Sequence, residues 1–228
     1  MLNSKNVLVI AAHPDDEVLG VGGTIPLIRK SGGEVTVLIV TDGSSTQYAD
    51  DTKIHIHKKA CMEQANEALG STRVIQWDYP DMRLDGISHV DLNQSFEKLI
   101  SEHQFDTVFV HHYGDINLDH RLIYESVLVA TRPQPGQYVR NIFSYQVNSS
   151  TEWGARRQGS MFEPNYYVDI TDTIETKLAA FRLYTDEIRE HPHPRSEQAL
   201  RDRAAVYGSE VGCNYAEAFR LILAISRR

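Results

Sequence analysis

The sequence predicts a single α/β domain, residues 1–228, built on a mostly parallel sheet with helices on both faces. Short apolar runs alternate with segments of helical periodicity, the arrangement that gives a parallel sheet with crossover helices. The length fits one domain with one core. No repeat, low-complexity tract or linker divides the chain.

The strand candidates are, in order, NVLVIAA, EVTVLIVTD, TRVIQWD, DTVFVHH and NIFSYQV. Between them, Ile54, Cys61, Ala65, Ala68 and Leu69 share one helical face, and Leu92, Phe96, Leu99 and Ile100 share another. Ile123, Val127 and Ala130 mark a helix beginning near Asp119, which reads as its N-cap. A later helix is announced by DTIE, with Asp172 as cap, Glu175 closing a capping box, and an inner stripe of Ile174, Leu178, Phe181, Thr185 and Ile188. From RPQPG to FEPN the turn residues predict mainly loop, broken by one strand.

Composition narrows the function. Apolar residues make up 41% and charged residues 24%, as in an ordinary globular protein. A net charge of -8 without clustered Lys and Arg excludes a general nucleic-acid surface. Cys61 and Cys213 are too few for a disulfide framework or a thiolate zinc site. The opening apolar run is too short for a signal peptide or a membrane span, so the protein is expected in the cytoplasm.

Two polar clusters stand where ligands bind in such sheets, just past the carboxyl ends of strands. The first is HPDDE. Proline and acids suit a helix start, but that does not account for His13 followed by Asp15, Asp16 and Glu17. The glycines of GVGGT come too late for a dinucleotide fingerprint. The second cluster is HHYGDINLDHR. Its acids resemble a calcium loop, but His120 and Ser126 occupy the positions that need Gly and Glu. His13, Asp16 and His120 together have the composition of a catalytic zinc site, two imidazoles and a carboxylate with a position left open.

AHPDDE, TDG, DINLDHR and the late HPHPRSEQALRDRAAVYGSEVGCNYAEAF resemble the PIG-L or LmbE-like zinc-dependent N-deacetylases over nearly the whole chain. The resemblance implies a Rossmann-like, LmbE-like fold and a hydrolase that removes acetyl from an N-acetylated amino sugar. It implies one Zn²⁺ per chain on His13, Asp16 and His120, Asp15 as general base, and Asp119 orienting a neighbouring group. The implied partner is an N-acetylated sugar, free or conjugated, with a homo-oligomer left open. The rival readings are a metal-dependent phosphoesterase and a non-catalytic sugar-nucleotide-binding domain.

Two departures from the family pattern bear on mechanism. Asn117 stands where many members have a histidine thought to support the oxyanion; an amide donates but delivers no proton, so the acid role falls to a protonated Asp15 or to His193, preferred to His191. Lys58 and Cys61 replace an arginine and a glutamate, and Lys58 either reaches the substrate or extends to water. Asp42, beside Gly43, either binds sugar hydroxyls or caps a turn, and Arg83 and Asp85, which follow the third strand, are expected by location to meet the substrate. Trp153 either stacks on a sugar or packs in the core. His55, His57, His89 and His103 read as surface residues, and neither His111 nor His112 is expected to bind metal.

Overall fold

The computed structural model describes residues 4–46, 51–154 and 159–226. Five parallel strands form its centre: β1 (Asn6–Ala11), β2 (Glu34–Thr41), β3 (Arg73–Tyr79), β4 (Thr107–His111) and β5 (Asn141–Tyr145). Two strands not expected from the sequence, β6 (Tyr166–Asp169) and β7 (Ala216–Ala224), complete a seven-stranded sheet ordered β3-β2-β1-β4-β5-β7-β6. β7 runs antiparallel to both of its neighbours, which makes the sheet mixed.

Every residue from Val7 to Ala12 is fully buried, because both faces of the sheet are covered. Val7, Val9 and Ala11 face one core layer with α1 (Asp16–Val21), α2 (Thr24–Lys30), α3 (Thr52–Leu69), α6 (Ile174–Arg182) and α7 (Glu197–Val211). Leu8 and Ile10 face the other, under α4 (His89–His103) and α5 (Leu118–Ala130). The strand order reverses direction between β1 and β4, so the loops after these two strands flank the crevice where such sheets bind ligands.

Local expectations for three helices are corrected. The N-cap of α5 is Asn117, whose Oδ1 accepts from the Asp119 amide at 2.9 Å; Asp119 lies inside the helix, and its carboxylate is used elsewhere. Asp172 does not cap α6: Thr173 holds that position and donates its hydroxyl to Gly23 O, while Glu175 pairs with Arg201 at 2.7 Å. That helix ends at Arg182, so Thr185 and Ile188 fall beyond it. Ala68 is exposed, and Met62 and Asn66 complete the buried stripe of α3. Among the described residues no helix is long and apolar enough to cross a membrane.

Candidate metal centre

Three ligand atoms converge past the ends of β1 and β4. His13 Nδ1 is 3.5 Å from Asp16 Oδ2, His120 Nε2 is 3.4 Å from the same oxygen, and the two nitrogens are 3.4 Å apart. A triangle with these edges is a face of a tetrahedron whose centre lies about 2.1 Å from each corner, which matches zinc bonds to nitrogen and oxygen. Asp16 and His120 are buried, and Asp16 Oδ1 has no hydrogen-bond partner, so the cluster has carboxylate capacity to spare. These residues fit the metal.

The chain holds each ligand in place. Asp16 opens α1, and its Oδ2 accepts from the amides of Ala12 at 3.0 Å and His13 at 2.9 Å. His120 Nδ1 faces Asp115 Oδ2 at 3.2 Å, and Asp115 in turn accepts from Ser150, Thr151 and the Asn117 amide. His13 Nε2 faces Asp119 Oδ2 at 3.1 Å and Asp81 Oδ1 at 3.4 Å. A carboxylate behind each imidazole leaves the opposite nitrogen free to ligate. His13, Asp81 and Asp119 form a second candidate grouping, but a neutral imidazole has one acceptor nitrogen and cannot serve both. Asp119 is thus placed to orient His13 rather than to share a metal with it.

Electrostatics follow from this geometry. Burial opposes charge on both rings, yet Asp119, Asp16 and Asp81 push His13 up to about 10, and Asp16 and Asp115 push His120 up to about 9. Burial would also raise Asp16, but His120, His111 and His13 hold it well below the usual carboxylate range. His111 goes the other way: burial and the charge of His120, on which it stacks at 4.1 Å, lower it to about 4, so it stays neutral. Burial would likewise raise Asp115, but the charge of His120 and hydrogen bonds from His120, Ser150 and Thr151 outweigh it and lower the carboxyl to about 2.

Asp15 lies beside the triangle, in the wall of a cavity of about 220 Å³ that is also lined by His13, Asp81, Lys58, Asn117 and Arg195. Burial holds its carboxyl well above the usual range, with Arg195 opposing. Arg195 Nη1 stands 2.9 Å from Asp15 Oδ2, an ion pair without hydrogen-bond alignment. Gly43 closes the cavity at φ 70°; a Cβ there would come within 2.5 Å of Pro14 Cδ, which explains the glycine of TDG.

The other expected residues divide. Lys58 reaches the cavity, its Nζ donating to Gly43 O at 3.0 Å and pairing with Glu187 at 3.3 Å, so its acid partner comes from the far end of the chain and not from position 61. Asn117 also lines the cavity, with Nδ2 3.5 Å from Met82 Sδ. Asp42 caps its turn, accepting from the amides of Ser44 and Ser45. Arg83 is exposed and outside the cavity. His193 also lies outside: its Nδ1 accepts from the Arg195 amide at 3.0 Å and its ring meets Trp153 edge-on. Trp153 is half exposed.

Asp81 and Arg195 were not among the expected site residues, Asp115 figured only in a calcium-like pattern, and His111, not expected to bind metal, lies 3.0 Å from Asp16 Oδ2. Asp81 and Asp115 each lie within a few residues of a strand end, which is the signal that could have found them. Arg195 had no such signal, because it reaches Asp15 from the opposite end of the chain.

Two histidines and an aspartate at the switch point of an α/β sheet, beside a buried carboxylate in a polar cavity, form a candidate metal centre placed where such folds bind ligands. Residues 8–131, more than half of the chain, match the family described as PIG-L, GlcNAc-PI de-N-acetylase, and the chain belongs to that family. It is 28% identical to diacetylchitobiose deacetylase of Thermococcus kodakarensis, over 96% of this chain and 83% of that protein. It is 26% identical to the probable N-acetyl-alpha-D-glucosaminyl L-malate deacetylase 2 of Bacillus cereus, over 84% of this chain and 89% of that protein. Among solved structures it is similar to N,N'-diacetylchitobiose deacetylase from Pyrococcus horikoshii, with a TM-score of 0.77 and 27% identity over 97% of this chain and 85% of that one.

Proposed function

We propose that the protein is a zinc-dependent N-deacetylase that hydrolyses the acetamide of an amino sugar. The observation that carries this reading is the tetrahedral face made by His13, Asp16 and His120 with Asp15 beside it in one cavity. His13, Asp16 and His120 would hold the ion, with Asp119 and Asp115 orienting the two imidazoles. When bound there, zinc supplies Lewis acidity toward the amide carbonyl and makes water more acidic.

The residues of the chain supply the rest. Asp15 takes a proton from the attacking water and returns it to the nitrogen as the C–N bond breaks, so that water and amide become acetate and amine. Burial, by raising Asp15, brings it nearer the working pH and suits it to both halves of that transfer. Asn117 uses Oδ1 on its helix and leaves Nδ2 to donate to the carbonyl oxygen as charge develops there. Lys58 and Asp81, on the cavity wall, meet the sugar.

The test is release of acetate and a primary amine from a panel that includes free N-acetylglucosamine, N,N'-diacetylchitobiose and lipid-linked and nucleotide-linked N-acetylglucosamine. Metal-loaded protein should deacetylate at least one and lose that activity on chelation. Phosphate release without acetate release would replace this reading with a phosphoesterase.

A further inference from the structure

Asp15 has φ 116° and ψ -26°, a conformation that a residue with a Cβ rarely holds unless its surroundings impose it. Glu17, two residues on, supplies that hold. The Asp15 amide donates to Glu17 Oε2 at 3.1 Å, and Glu17 Oε1 accepts from Asn66 Nδ2 at 3.0 Å and Tyr184 OH at 2.5 Å. Glu17 is fully buried, and Asn66 is itself fixed by Met62 O and Ser71 Oγ. Nothing in the metal triangle or the cavity wall uses this carboxylate.

We propose that Glu17 is the positioning residue for Asp15. Its carboxylate clamps the Asp15 amide, keeps φ positive, and so turns the Asp15 side chain toward the cavity while Asp16, one residue on, faces the two histidines. The clamp is anchored on α3 through Asn66 and on the segment after α6 through Tyr184, so the carboxylate of Asp15 is held by packed elements and not by its loop. An acid is needed because three donors converge: a carboxylate accepts all of them, whereas a glutamine offers one oxygen and brings two N–H groups of its own. The inference rests on the reading of Asp15 as the base.

Two substitutions and two readouts test it. Glu17→Gln keeps volume, and Tyr184→Phe removes one anchor while keeping the ring. If Glu17 positions the base, Glu17→Gln retains about one zinc per chain and lowers kcat roughly tenfold to a hundredfold with KM little changed, because misplacement of a catalytic group acts on the chemical step. Tyr184→Phe gives a smaller loss of the same kind, and carries the test if Glu17→Gln does not fold. A crystal structure of Glu17→Gln with zinc bound should show Asp15 relaxed to negative φ. That readout needs no substrate, so it decides the clamp even if the wild-type protein releases no acetate. An Asp15 backbone still at positive φ in Glu17→Gln, or wild-type kcat in both variants, would overturn the proposal.

Discussion

Arg195 and Asp15 meet from opposite ends of the chain, with Nη1 2.9 Å from Oδ2, and the same nitrogen is 2.7 Å from Glu187 Oε2. Burial drives Asp15 toward its protonated form, and the guanidinium is the principal force against that. Arg195→Gln should therefore raise the pKa of Asp15 further. Because the base must be ionised to work, the acid limb of the kcat/KM profile should move upward by about one pH unit or more. An unmoved limb would separate Arg195 from the base.

Metal binding and proton transfer should come apart by mutation. His120→Ala should lose most of the bound zinc by elemental analysis. Asp15→Asn should keep it while losing turnover by roughly two to four orders of magnitude. Near-wild-type turnover in Asp15→Asn at saturating zinc would place the base elsewhere.

Protons should stabilise the metal-free protein. His13 at about 10 and His120 at about 9 lie above the ordinary value of 6.5, so their contribution is complete below 6.5 and is lost as the pH rises through 9 and 10. Thermal melts in chelator should show Tm falling across that window, by about 2–4 °C for each kcal/mol lost. The same protons compete with zinc, so apparent zinc affinity should rise with pH over the same range. A chelated protein whose Tm is flat between pH 6.5 and 10 would show that the carboxylates around the two rings do not hold the extra protons.

Asn117 combines two tasks that substitution can separate. Asn117→Ala removes the helix cap as well as the Nδ2 donor, costing about 1 kcal/mol of stability in addition to lost kcat. Asn117→Asp keeps a capping oxygen at a helix N-terminus and replaces the donor with an acceptor, so it should retain Tm and lose kcat, by about 3 kcal/mol of barrier. Unchanged kcat in Asn117→Asp would leave Asn117 with the cap alone.

Much of this organisation was legible because it is written locally. Strands β1 to β5 announce themselves as apolar runs, since burial on both faces removes polar residues from them. β6 is four residues long, and β7 passes from a buried half to a half-buried one, so neither has a clear period. The residues of the candidate metal group stand beside strand ends, so position and chemistry point to them. The partners of those ligands could not. Asp115 reads as a turn acid until Ser150 and Thr151 are brought against it, and Glu17 reads as a first-turn helix acid until Asn66 and Tyr184 close around it. In the late segment, where His193 was expected, the side chain that lines the cavity is Arg195, because the turn directs the His193 ring onto Trp153.

The three candidate metal ligands and the carboxylates behind them come from residues 13–120, whereas Arg195, which pairs with Asp15, and Glu187 and Tyr184, which pair with Arg195 and Glu17, come from the segment between α6 and α7. The candidate metal ligands thus sit on one stretch of sequence and the cation that opposes protonation of Asp15 on another, while Glu17 and Asn66 of the proposed clamp belong to the first. Changes in the later stretch can retune the working pH and the shape of the cavity mouth while the ion is held as before, so the two properties are free to diverge independently among descendants of this fold.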